Sequence, residues 1–193
     1  ELDPSNATLS INTLKFTVLN QEQQFNMINP EGIYAYLQRR QPLLARSGIM
    51  VAPDVYEYVD LGTYYLSEWK NATGLTATLE ATDAMGLLDK TTYYTSPFWV
   101  NATLDTVVSH ILSDAGLFPY TIEDSLLGEV VNGYIPIMSH REALQYLMMA
   151  CGGSLRVDRA GVIRIVKPDY TTVDKSIGYD TVIGTPSIEQ KQL

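Results

Sequence analysis

The run Leu75-Thr76-Ala77-Thr78-Leu79-Glu80-Ala81-Thr82-Asp83-Ala84-Met85-Gly86-Leu87-Leu88 decides the fold, because the hydrophobic period changes inside it. Up to Ala81, apolar and polar residues alternate, the period of a strand with one buried face. Asp83 then stands as an N-cap whose carboxylate accepts the orphan N–H groups of a short helix through Leu88. Upstream the same two-residue period recurs. Leu14, Phe16 and Val18 alternate with Lys15, Thr17 and Leu19, and the Tyr-rich run 63–69 reads as a strand. Short apolar runs at 43–46, 49–52 and 55–58 are separated by Ser47-Gly48 and Pro53-Asp54. Asn29-Pro30-Glu31-Gly32 and residues 71–74 are turn signals, and 33–37 reads as one helical turn or an extended piece. Five or six strands so close together predict a small antiparallel barrel or sandwich over residues 1–82.

Downstream the period is helical. Leu104, Val107, Val108, Ile111, Leu112 and Ala115 make one apolar stripe, capped by Thr103 and stopped by Gly116. Ser139-His140-Arg141-Glu142 has capping-box spacing, and the helix it opens presents Ala143, Leu144, Leu147, Met148 and Cys151 before ending at Gly152-Gly153. Residues 154–157 and 162–167 flank Asp158-Arg159-Ala160-Gly161 as a hairpin. The fold class is therefore α+β: an N-terminal antiparallel β-barrel, then an α+β unit over 83–168 with two main helices and a closing hairpin. Residues 169–193 are expected to be an extended return segment that starts a further element.

Of 193 residues, 46% are hydrophobic and 18% charged, a globular composition long enough for a core without metal or disulfide staples. The net charge of −9 argues against a surface that neutralises nucleic-acid phosphates or docks on anionic lipid. No apolar run approaches the ~18–20 residues of a membrane span. Cys151, the one cysteine, has no internal disulfide partner. The chain begins at Glu1 without methionine and is read as an excerpt of a longer polypeptide.

Catalytic, cofactor and metal signatures are not found. The two histidines, His110 and His140, have no ligand spacing around them and read as surface or rim residues. Cys151 falls on the apolar side of its helix, where a thiol acts as a small buried hydrophobe. Paired carboxylates have no distinctive setting, and the glycines match neither phosphate-binding loop pattern. The sequons at Asn6, Asn71 and Asn101 read as polar loop residues. Tyr56, Tyr58, Tyr64, Tyr65 and Trp69 make either a sugar-stacking platform, a protein interface or ordinary strand aromatics.

The order of features carries a resemblance. Phe16-Thr17-Val18-Leu19-Asn20, Phe25-Asn26 and Asn29-Pro30 precede Asp60-Leu61-Gly62-Thr63-Tyr64-Tyr65-Leu66-Ser67-Glu68-Trp69. The run from Leu75 to Asp83 continues into Leu87-Leu88 and Tyr93-Tyr94. Arg141-Glu142-Ala143-Leu144-Gln145 and Cys151-Gly152-Gly153-Ser154-Leu155-Arg156-Val157-Asp158-Arg159-Ala160-Gly161 follow. The series resembles the N-terminal hub region of tailed-phage baseplate and tail-tip proteins, the prophage tail proteins related to the T4 baseplate hub and the tail-associated protein of siphophages. It runs as far as Thr185-Pro186-Ser187-Ile188-Glu189. One departure is Arg39-Arg40-Gln41, where the family pattern has a glycine before the glutamine.

The resemblance implies a non-enzymatic virion component produced in the bacterial cytoplasm, without cofactor or metal. Tube-type barrels of a homotrimer would form a pseudo-six-fold ring joining the tail tube or distal tail proteins to a tip, spike or fibre. The α+β unit would be inserted between barrel segments, and the ring would leave a channel for DNA without binding it specifically and without inserting into a membrane. An acidic lumen suits that passage, since it repels phosphates. Glu57, Asp60, Glu68 and Glu80 are the expected lumen acids, and Tyr64, Tyr65 and Trp69 the expected interface aromatics. No lytic segment lies within these residues, so no catalytic residue is carried over. The competing readings are a carbohydrate- or receptor-binding β module and a hydrolase with a dispersed site.

Overall fold

The computed structural model describes residues 9–168, apart from 27, 30, 72–74 and 117–118. The expected return segment 169–193, the sequon at Asn6 and residues 72–74 of the expected turn lie outside the described residues. Four strands build the first sheet: β1 (Thr13–Leu19), β2 (Pro42–Ala52), β3 (Val55–Asn71) and β4 (Thr76–Thr82). They run antiparallel in the order β1-β4-β3-β2, so β1 and β2 are its edges. The alternation that marked β4 is its burial pattern: Ala77, Leu79 and Ala81 are buried while the residues between them are half-exposed. Cross-strand register places Phe16 opposite Leu79 and Leu79 opposite Trp69, a row of apolar side chains on one face. Register shifts between Leu66 and Glu68 and between Ala45 and Arg46 bend the strands, giving a curled antiparallel sheet.

The sheet has fewer strands than the sequence pattern predicted. Ser47-Gly48 does not turn the chain; it lies inside β2, with Gly48 opposite Tyr58. A Cβ at Gly48 would stand 2.8 Å from the Tyr58 ring, so the glycine lets that ring lie flat over the neighbouring strand. The real turn is Pro53-Asp54, two residues between β2 and β3, with Asp54 at a φ of 61°. A 3-10 turn at Ile33–Tyr36 settles the ambiguous segment before β2 as helical.

Beyond Asp83 follow α1 (Ala84–Asp89), β5 (Thr92–Tyr93), β6 (Trp99–Thr103), α2 (Leu104–Ala115), β7 (Tyr120–Ile122), β8 (Val130–Gly133), β9 (Met138–Ser139), α3 (His140–Cys151), β10 (Ser154–Val157) and β11 (Ile163–Val166). The caps are where the sequence placed them. Asp83 accepts from the Gly86 amide, Thr103 from Thr106, and Ser139 and Glu142 close a reciprocal box. Val107, Val108, Ile111 and Leu112 of α2 are buried against Ala143, Leu144, Leu147 and Met148 of α3. The hairpin β10–β11 completes this core with Leu155, Ile163 and Ile165. Three pairings were not foreseen: β5 with β9, β6 with β8, and β7 parallel to β11.

Two contacts tie the sheet to the helical layer. Asn12, just before β1, donates to the buried Asp83 carboxylate through its amide at 3.0 Å and its Nδ2 at 2.8 Å. Thr63 Oγ1 of β3 donates to the Arg159 carbonyl at 3.4 Å, in the β10–β11 turn. Gly161 in that turn has a φ of 81°, and a Cβ there would stand 3.0 Å from Thr63 Cβ. It is required both for its left-handed backbone and for this close approach.

Candidate functional site

Past Gly62 the β2–β3 hairpin leaves the sheet as an arm. Every residue from 46 to 61 is exposed, on both faces. Seven strand residues at ~3.3 Å each project it on the order of 20 Å. Apolar side chains dominate it, Ile49, Met50, Val55, Tyr56, Tyr58 and Val59 among them. Tyr56 and Tyr58 stack with centroids 6.2 Å apart. A two-stranded ribbon without a core beneath it is marginally stable in water, and apolar groups bare on both faces mark a contact surface.

The four expected lumen acids are distributed as follows. Glu68 and Glu80 are a cross-strand pair, and Lys15 lies opposite Glu80 in register. Lys15 Nζ sits 2.6 Å from Glu80, and Lys70 Nζ 3.3 Å from Glu68. The hydrogen bond and charge of Lys15 hold the Glu80 carboxyl below its ordinary range, and Lys15 is raised in return. Asp60 lies opposite Arg46 on the arm and is ion-paired to it at 2.8 Å. Glu57 lies opposite Ile49, three positions further along β2, and so on the other face of the arm from Asp60.

The three expected interface aromatics do not share one surface. Tyr64 lies with its ring over Gly62. Tyr65 faces the other way and packs on the core of the helical layer, where burial raises its phenol. Trp69 lies opposite the buried Leu79 and lines a shallow cleft with Arg39, Ser67 and Glu68.

His140 corrects the sequence reading: it is not a rim residue but 2% exposed. It opens α3, and its Nε2 lies 2.9 Å from Asp114 Oδ2 on α2. Thr95 donates to the other oxygen of Asp114 at 3.0 Å. His110, half-buried, lies 2.9 Å through Nδ1 from the Tyr93 hydroxyl, with its ring edge-on to Trp99 at 5.3 Å. Burial raises the Tyr93 phenol; a Ser96 hydrogen bond opposes this and the Asp114 charge adds to it. The cluster clamps α2 to α3 and β5 and is closed to solvent at His140, so it is a structural clasp. The signal for it was the spacing of His110 and Asp114, four apart and hence on one side of α2. Cys151, expected to be a buried thiol, is only half-buried at the C-terminal end of α3, and burial raises its thiol. Among the described residues, no group of three or more His, Cys, Asp or Glu is placed to hold a metal ion. No helix among them is long and apolar enough to cross a membrane.

One concavity stands out for its chemistry. A groove of about 350 Å³ runs between α3 and the β6–β8 pair, lined by Trp99, Val131, Tyr134, Met138, Tyr146 and Ala150 among others, with no charged side chain. It continues toward Cys151 and Glu129 at its other end. Tyr146 and Tyr134 are exposed on its walls, and Trp99 Nε1 is buried without a hydrogen-bond partner among the described residues.

No protein-family model matches the chain, and neither does any curated protein. Solved structures do. The chain superposes on a 43 kDa tail protein of prophage MuSo2 from Shewanella oneidensis with a TM-score of 0.55 and 18% identity, over 89% of this chain and 51% of that one. A tail protein from Neisseria meningitidis gives 0.48 and 14%, over 61% of this chain and 39% of that one. An Escherichia coli component of the type VI secretion system, described as similar to T4 bacteriophage tail proteins, gives 0.41 and 13%, over 81% and 42%. The Shewanella match shows a shared fold across nearly all of this chain, which spans about half the length of that protein.

Proposed function

We propose that this chain is a structural component of a phage or prophage tail, part of the hub that joins tail tube to tail tip. The observation that carries the reading is the fold it shares with a prophage tail protein over 89% of its length. The sequence resemblance, drawn independently from the order of motifs, points to the same place. In this reading residues 1–82 supply part of a tube-type barrel and 83–168 are an insert between barrel segments. The copies form a trimeric, pseudo-six-fold ring around a DNA channel and meet tail-tube or distal tail proteins on one side and a tip, spike or fibre on the other. The protein is made in the bacterial cytoplasm and functions in the virion without catalysis.

Two features of the structure support an assembly role. Among the described residues, β1 and β2 pair with no further strand and stand as the edges of the curled sheet, which proteins otherwise cover or blunt to avoid aggregation. The arm exposes apolar surface that none of the described residues covers. Among the four acids, Glu68 and Glu80 share a face with one another, whereas Glu57 and Asp60 face opposite sides of the arm. At most one of that second pair can therefore face a given lumen. The carbohydrate-binding alternative needs a joint aromatic platform, and Tyr64, Tyr65 and Trp69 are turned to different surroundings.

The test is immunogold electron microscopy of purified particles carrying a tagged copy of the full polypeptide. Label at the distal end of tails is the expected result. Particles that lack the protein altogether refute the reading.

A further inference from the structure

We propose that one face of the β2–β3 arm binds a neutral, linear saccharide on the rings of Tyr56 and Tyr58. The inference stands apart from the tail role and concerns a different pair of aromatics from Tyr64, Tyr65 and Trp69, which share no surface. Directly paired residues of two strands lie on the same face, so the register sorts the arm into two chemically distinct sides. One side carries Arg46 with Asp60, Gly48 with Tyr58 and Met50 with Tyr56. The other carries Ser47 with Val59 and Ile49 with Glu57, four residues without a ring among them.

The first side is flat. A Cβ at Gly48 would stand 2.8 Å from the Tyr58 ring, so the ring folds down over the glycine instead of standing off the sheet. The Tyr56 ring is within 29° of parallel to it, with the centroids 6.2 Å apart, near the ~6.6 Å between alternate strand residues. At so large an offset each ring keeps an open face, and Tyr56 and Tyr58 are 51% and 63% exposed. A pyranose presents a face of weakly positive C–H groups and a rim of hydroxyls. The C–H face complements the negative face of an aromatic ring, and the hydroxyls need planar donors and acceptors alongside. The Arg46–Asp60 pair, next along the same side, supplies both. Its Nε–Oδ1 contact is 2.8 Å, and the guanidinium has further N–H donors and the carboxylate a second oxygen.

Charge selects the class of saccharide. The two charges on this side cancel within their ion pair, and Glu57 lies on the other side. The chain as a whole carries −9, which repels anionic glycans and leaves uncharged ones as the fitting ligand.

The experiment is saturation-transfer NMR titration of the full chain with maltohexaose, cellohexaose and the β-1,4-linked hexamer of N-acetylglucosamine, and with hexagalacturonate as the charged control. At least one neutral hexamer is expected to bind saturably with a Kd on the order of 1 mM, and hexagalacturonate about tenfold more weakly or worse. Tyr58→Ala should lose at least about tenfold in affinity. Gly48→Val should lose as much while keeping both tyrosines, because it lifts the Tyr58 ring. Ile49→Ser, on the other side, should bind like wild type. All three positions are exposed, so the fold survives, and circular dichroism checks that it does. Absence of saturable binding by every neutral hexamer overturns the inference. Binding that Tyr58→Ala leaves unchanged, or that hexagalacturonate matches, overturns it too. Full binding by Gly48→Val overturns the flat-ring geometry on which it stands.

Discussion

Arg40→Gly should stabilise the protein. Arg40 lies at a φ of 67°, in the turn that leads into β2. Its amide donates to the Leu66 carbonyl at 2.8 Å, and the Leu66 amide donates to Gln41 at 2.9 Å, so the turn fixes where β2 starts along β3. Of the other non-glycine residues at positive φ, Asp54 and Asn101 are types that tolerate the left-handed region. Arginine has no such adaptation, and a left-handed L-residue costs about 1–2 kcal/mol relative to glycine. Glycine raises the entropy of the unfolded chain, which returns about 0.4–1 kcal/mol. The net gain is about 0.5–1 kcal/mol, or roughly 1–4 °C in Tm for a chain of this size. Urea and thermal denaturation of Arg40→Gly, Arg40→Asn and Arg40→Ala measure it. Glycine should gain most, asparagine less, and alanine nothing. A glycine variant no more stable than the alanine one refutes the reasoning, because removal of the guanidinium would then account for any change.

Ile111→Ala, at a fully buried position of α2, should lose roughly 2–5 kcal/mol in denaturant titration through the cavity it leaves. Ser139→Ala should lose about 1 kcal/mol by the same assay, since it opens the reciprocal cap of α3. Hydrogen bonds from the Ser139 amide and hydroxyl hold Glu142 below its ordinary range. Asp158 is pushed up by burial, but bonds from the Val162 amide, Arg164 and the Ala160 amide outweigh this and leave it lowered. Both carboxyls are lowered by folding, so their contribution is full above about pH 5 and is lost as pH falls below about 4. A Tm that does not fall between pH 5 and pH 3 contradicts this. Gly161→Val should lower stability through its left-handed backbone and its clash with Thr63, read as a drop in Tm; an unchanged Tm means the turn does not press on β3.

What the sequence disclosed depended on the range of the interactions. Helix ends were legible because caps act over three or four residues: Asp83, Thr103 and Ser139 each bond an amide in the following turn. β4 was legible because its burial alternates without interruption. The β2–β3 hairpin was cut into too many pieces because glycine at 48 reads as a break, whereas it answers a tyrosine ring ten residues away on the partner strand. Strands of two to five residues such as β5, β6, β8 and β9 are too short for a period, and their partners lie far along the chain. His140 was misjudged for the same reason: the groups it packs and bonds with, Tyr93 and Asp114, lie far along the chain on other elements. The arm was hidden by its own pattern, since an exposed apolar strand and a buried one have the same composition. By contrast, the missing glycine at Arg40 was visible in the sequence, and the backbone there is left-handed.

The decisive measurement is a cryo-electron microscopy map of tail tips that contain the intact polypeptide. The account predicts three copies around the tail axis, each with its curled sheet beside the central channel. Density that places the protein as a separate appendage off the axis contradicts it.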